Sequence, residues 1–195
     1  MKYDFLNDEE QIKLKVWHSS LDKNRGDRAR LRRAESAEDV LLTQAFFNFL
    51  QEMPDHWKEN KPIFVSAAVA GVLSQVKDNN QMPSKVYESK DINSLKKMMS
   101  FAEQLGTPLK GNSKAPMSEL RFQQLQKSRT ENDFFRLTLR TIGLLGGKVN
   151  ILSLANDIIQ WHQEFHHKEF DRQSSNRLAV SWATDYYSAL SKHIK

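Results

Sequence analysis

Between Lys23 and Arg33 the chain reads KNRGDRARLRR: six basic residues, Lys23, Arg25, Arg28, Arg30, Arg32 and Arg33, against one acid, Asp27. Side chains of this kind do no covalent chemistry; they hold anions. Six cations beside a folded core repel one another unless solvent or an anionic partner screens them, and a phosphate backbone is the natural partner for such a cluster. A solvated charged face is the competing reading of the run taken alone. The run follows a tryptophan-bearing helix and leads into an apolar one, with Gly26 expected to mark a turn at its start. A disordered basic tail would not be stitched in this way.

A second cationic stripe lies far along the chain. With each residue turned ~100° around a helix axis, Phe134, Phe135, Leu137, Leu139, Ile142, Leu144 and Leu145 cover most of the circumference. The strip that remains holds Arg136 and Arg140. If the helix continues back through Thr130, Arg129 joins them. Arginines in one line suit phosphate through their planar, multi-donor heads. An amphipathic helix needs a polar strip in any case, so a merely solvated face competes here too. Arg121, Lys127 and Lys148 are added as flanking candidates.

Other chemistry is hard to find. There is no GxxxxGK[ST], GxGxxG or GxSxG pattern. Carboxylates are scattered, whereas a two-metal centre needs several converging on one point. No catalytic residue and no cofactor is expected. In WHQEFHH, His162 and His166 are four apart and could share a helix face toward a metal. No third ligand is evident, so no metal site is expected. The chain has no cysteine, which excludes disulfides and thiolate metal sites. Trp17, Trp161 and Trp182 sit at helical spacing among apolar residues and are expected in the core. Trp57 and Tyr87, in polar surroundings, are the candidates for stacking on bases.

The elements that must position these residues are helical. The chain has 195 residues, 39% hydrophobic and 27% charged, with a net charge of +5 that the first basic run accounts for by itself. The N-terminus has no apolar signal core, and the longest apolar stretch, Ile63 to Leu73, is too short for the ~20 residues of a membrane span. A soluble cytoplasmic protein is expected, with no membrane partner. Helices are expected from residues 8 to 21, with Ile12, Val16, Trp17 and Leu21 on one side, and from Ser36 to Leu50. A central buried helix should run through IFVSAAVAGVLSQV, followed by a loop over 78–91 and a helix from about Ile92 to Leu105. The second half should hold helices over 118–129 and up to Leu145, then one capped by Asn150 and a last one through Trp182 and Tyr187. Nothing alternates with period two over strand length. The fold class is all-α, with two bundle-like halves, 1–110 and 111–195, joined by a linker over 106–117 that holds two Gly and two Pro.

Order and spacing over both halves resemble a known family. Trp17, Leu21 and the run Arg25 to Ala34 resemble the N-terminal signature of the CasB proteins, the small subunit of the type I-E CRISPR surveillance complex, Cascade. Ser118 to Leu125 with Arg129, then Phe135-Arg-Leu and Arg140 before Leu144-Leu145, is similar to the family's C-terminal region. Val149-Asn150, Leu154 to Asp157, Trp161, Trp182 and Asp185-Tyr-Tyr187 continue it. The resemblance covers roughly residues 10–52 and 118–190; the middle matches only as helices. It implies a non-catalytic, all-helical subunit that sits as a homodimer among other Cascade subunits. There it would brace the guide CRISPR RNA, the target DNA and the displaced strand, with the basic surfaces of both halves as contact surfaces. Two rivals differ in class. Val149–His162 could belong to a helix-turn-helix regulator, although Ile151-Leu-Ser-Leu lacks the polar residues that a recognition helix presents. An adaptor for an acidic protein is the other.

Overall fold

The computed structural model describes residues 3–59, 61–87, 98–166 and 173–193. It opens with α1 (Asp8–Ser20), closed at its start by a full capping box: Asn7 accepts from the Glu10 amide, and Glu10 accepts from the Asn7 amide at 2.7 Å. Leu14, Trp17 and Leu21 are buried, while Ile12 and Val16 stay exposed, so the inward face is turned from the one expected. The basic run is itself a helix, α2 (Arg25–Arg33), capped by Asn24, whose side chain accepts from the Asp27 amide. Gly26 therefore lies in the first helical turn and not in a turn ahead of it.

The single helix expected from Ser36 to Leu50 is two, α3 (Ala37–Leu41) and α4 (Gln44–Glu52). The break has a local cause: the Thr43 hydroxyl accepts from the Phe46 amide at 3.2 Å and starts a new helix. After the short α5 (His56–Glu59) comes α6 (Ile63–Ser74), buried at every residue from Val65 to Ser74. It packs on α2, α3 and α4 on one side and on α9 (Glu131–Leu144) and α10 (Ile151–His166) on the other. Gly71 is where it is squeezed hardest: a Cβ there would meet Val40 Cγ2 at 2.6 Å and Phe135 Cζ at 3.0 Å.

The helix expected from about Ile92 is, among the described residues, α7 (Phe101–Gly106), with the Ser100 side chain as its cap; its proposed first turns lie outside the described residues. Residues 107–117 carry no regular element. Then follow α8 (Glu119–Gln126), α9, α10 and α11 (Leu178–His193), the last packed along α7. Asn150 caps α10 as expected, accepting from the Ser153 amide at 3.1 Å. Among the described residues the fold is all-α save a parallel pairing of β1 (Asp78–Asn79) with β2 (Lys148–Val149) and an isolated antiparallel bridge between Pro83 and Met98, all too short to leave a periodic signal in the sequence. One continuous apolar core runs from Leu6 to Tyr186, so the two halves share their interior.

Candidate nucleic-acid interface

On α2, Asp27 and Leu31 face inward. With ~100° per residue, Arg25, Arg32 and Arg33 fall on the arc opposite Leu31, and all three are exposed. The side chains of Arg25, Arg33 and Lys23 have no ion pair or hydrogen bond among the described residues. The other three are engaged within the fold. Arg28, half-buried, donates to the Ser74 and Val76 carbonyls and pairs with Asp22. The Ser74 carbonyl ends α6, and Val76 lies two residues beyond it, where terminal carbonyls lack helical amide partners and the dipole is negative. His18 meets the same Val76 carbonyl at 2.9 Å. Arg30 pairs with the buried Asp27 at 3.3 Å, and Asp27 also accepts from Asn24 at 2.7 Å and Asn48 at 2.8 Å. Arg32 donates to the Gln75 side chain at 3.2 Å and receives the Gln75 amide on its own carbonyl at 3.0 Å.

The second patch is built differently. On α9, Phe134, Phe135, Thr138, Thr141 and Ile142 are buried. Arg136 and Arg140, one turn apart, are exposed, with no partner among the described residues. Arg129 does not extend their line. The chain leaves α8 at Lys127, and Thr130 caps α9 by accepting from the Asp133 amide at 3.0 Å, so Arg129 sits in the turn between helices. The fold gives it another neighbour instead. Lys127 and Arg129 line one shallow concavity with Gln123, Asp133 and Leu137. Arg121 is exposed on α8. Lys148 lies in β2 with its ammonium 3.8 Å from Asp78.

Lys77 was not among the sequence candidates and joins the two regions. It follows directly on the α6 end that Arg28 and Arg32 hold. Its amide donates to the Gly147 carbonyl at 2.8 Å. Gly147 has φ +81, and a Cβ there would lie 3.0 Å from Lys77 Cγ, so the lysine stem crosses the end of α9 over a bare backbone. A single lysine after an apolar run carries no sequence signal of this.

Other candidates resolve plainly. Trp17, Trp161 and Trp182 are core. Trp57 is fully buried, and its indole N–H donates to Glu10 at 2.6 Å, which removes it as a stacking platform. Tyr87 is part-exposed, with its hydroxyl on Asp185. Residues Ile151 to Ala155 at the start of α10 are all buried, so α10 offers no recognition surface there. The third ligand that the sequence lacked for His162 and His166 exists: Glu131 Oε1 lies 3.0 Å from His162 Nδ1 and 2.8 Å from His166 Nε2.

Two buried acids differ. Burial would push the Glu10 carboxyl up, but bonds from His56, the Asn7 amide and Lys61 outweigh it and hold Glu10 below its ordinary value. Asp157 has only neutral donors, among them the Trp182 indole at 2.9 Å, and burial pushes it up to about 7.

Among the described residues no helix is long and apolar enough to cross a membrane. Comparisons with curated proteins and with solved structures give no match. A family model does match: that of CRISPR-associated protein Cse2, over residues 27–187. From Asp27 within the basic helix α2 to Tyr187 in α11 the chain lies within that match, and it belongs to the Cse2 family, the CasB small subunits of type I-E Cascade.

Proposed function

We propose that this Cascade subunit works without catalysis of its own, bracing nucleic acid inside the complex. Its cationic surfaces hold the backbones of the guide RNA and target DNA and steady the opened strands of the R-loop. The observation that carries this reading is that Arg25 and Arg33 on α2, and Arg129, Arg136 and Arg140 at α8–α9, are exposed cations with no internal partner among the described residues. Contacts of this type position a backbone and read no bases. In guided complexes base pairing supplies the sequence preference, and protein stabilises the heteroduplex and the displaced strand. Assembly as a homodimer, as the family resemblance implies, would double each patch along one path.

Reconstituted Cascade carrying Arg136→Ala with Arg140→Ala tests this. Target-DNA retention should fall, with guide-programmed sequence preference unchanged. Retention equal to that of the unmodified complex at every salt concentration would refute the role given to α9.

A further inference from the structure

The cluster of Glu131, His162 and His166 stands at the edge of the core, where the buried His162 ring packs edge-on to Phe134 and Trp161, and takes no part in the cationic surfaces. His162 and His166 stand one turn apart on α10, with rings 6.2 Å apart and nearly parallel, 20° between planes. Glu131 is the first residue of α9 and meets both with a single carboxylate oxygen. The three candidate ligand atoms lie within 4.8 Å of one another. We propose that they form a binding site for one divalent transition metal of the zinc class.

The chemistry selects the ion. Two imidazoles and one carboxylate make a borderline donor set, suited to Zn²⁺, Co²⁺ or Ni²⁺ and poor for the hard ions Mg²⁺ and Ca²⁺. Tetrahedral zinc with bonds of ~2.0–2.1 Å sets its ligand atoms ~3.3 Å apart. The two contacts to Glu131, 3.0 and 2.8 Å, therefore need to open by only a few tenths of an ångström. His162 would bind through Nδ1 and His166 through Nε2, the atoms that already face the carboxylate.

A fourth position is available. The same three residues line a pocket of about 370 Å³ walled by Phe64, Val65 and Ile159. Lys61 also lines it, but its ammonium is committed to Glu10 at 3.1 Å. The open position would take water or an exogenous donor, as three-ligand zinc sites do. A bound ion would tie the first residue of α9 to the last turn of α10. It would thereby fix the helix that presents Arg136 and Arg140.

The test is Co²⁺ titration into the tag-free full chain, followed by visible absorption, with Zn²⁺ in competition. One Co²⁺ per chain should bind with a four-coordinate spectrum that Zn²⁺ abolishes, and saturating Zn²⁺ should raise Tm by ~5 °C. His166→Ala and Glu131→Gln alter part-exposed side chains, so both should fold and bind at least tenfold more weakly. His162→Ala is a third variant, informative only if its Tm without metal shows it folded. Absence of Co²⁺ uptake at ~100 µM, well above the range expected of a built site, would overturn the proposal. So would full affinity in either His166→Ala or Glu131→Gln.

Discussion

The two basic regions differ in density and in what their cations do: α2 carries five arginines in nine residues, α9 two in fourteen. On α2 the cations are divided between the protein's own structure and the outside. Arg28 is spent on the end of α6, Arg30 on Asp27 and part of Arg32 on Gln75. On α9, Arg136 and Arg140 have no internal partner among the described residues. The denser run thus offers fewer free charges per residue than its length implies. A count of basic residues measures charge; only the fold shows which charges remain available. The buried acids differ as well, with Glu10 in the first half bonded by Lys61, His56 and the Asn7 amide and Asp157 in the second half by neutral donors alone.

The largest effect expected is on stability, from Arg28→Ala. It removes charged bonds to the Ser74 and Val76 carbonyls; Val76 keeps His18, while the Ser74 carbonyl at the end of α6 loses its side-chain donor. A hydrogen bond to a charged group contributes about 1.5–3 kcal/mol, and a loss in that range should appear in denaturant unfolding. Arg33→Ala, five residues on, should stay within ~0.5 kcal/mol. Equal losses in the two variants would erase the division drawn within α2.

The acids can be separated by pH. Asp157 has a folded pKa near 7 against an ordinary 3.8, so the folded state holds the proton more tightly. Its contribution to stability is largest in acid and declines as pH rises between those values. Glu10 is lowered, so its contribution is present above its ordinary value of 4.5 and is lost as pH falls through the folded value. Asp157→Asn keeps an acceptor for Trp182 and should raise Tm at pH 7 but not at pH 4. Glu10→Gln should lower Tm at pH 7, with the deficit shrinking in acid. A Tm for Asp157→Asn that tracks the unmodified protein across this range would break the contrast.

Much of this architecture was legible in the sequence, and the failures share a cause. Helix identity followed from periodicity and caps: Asn7, Ser36, Thr130 and Asn150 all start helices. A break that depends on one hydroxyl was missed at Thr43, and the Thr130 hydroxyl, by capping α9, takes Arg129 out of line. The burial of Trp57 was hidden because its partners, Glu10 and Phe49, come from α1 and α4. The same holds for Glu131, which reaches α10 across thirty-one positions of sequence separation. Spacing within one helix predicts its face; it says nothing of which residue another helix brings to that face.

The free cations should then report on binding without reporting on stability. Arg136→Ala with Arg140→Ala should leave Tm nearly unchanged, since exposed charges contribute little to folding. Each lost phosphate contact should lower the slope of log K against log salt by about 0.7–0.9, so the pair should lower it by roughly twice that. Arg25→Ala with Arg33→Ala should behave alike, while Arg28→Ala should change stability and leave the slope intact. A Tm loss of many degrees in the α9 pair, with the slope unchanged, would make those arginines structural.

The smallest effect, and the one that decides whether the patches form one path, belongs to Lys77. Its stem crosses Gly147 at the end of α9 while the residues before it are held by Arg28 and Arg32 of α2. If nucleic acid runs from one patch to the other across this junction, Lys77→Ala should lower the salt slope by about one contact, 0.7–0.9. Stability should hardly change, because the Lys77 bond to Gly147 is made by the backbone amide and survives the substitution. Combined with the α9 pair, the slope changes should add, as they do for independent contacts on a common strand. If Lys77→Ala leaves the slope unchanged while both arginine pairs reduce it, the two surfaces hold separate strands, and the cation between them is a bystander on the fold's seam.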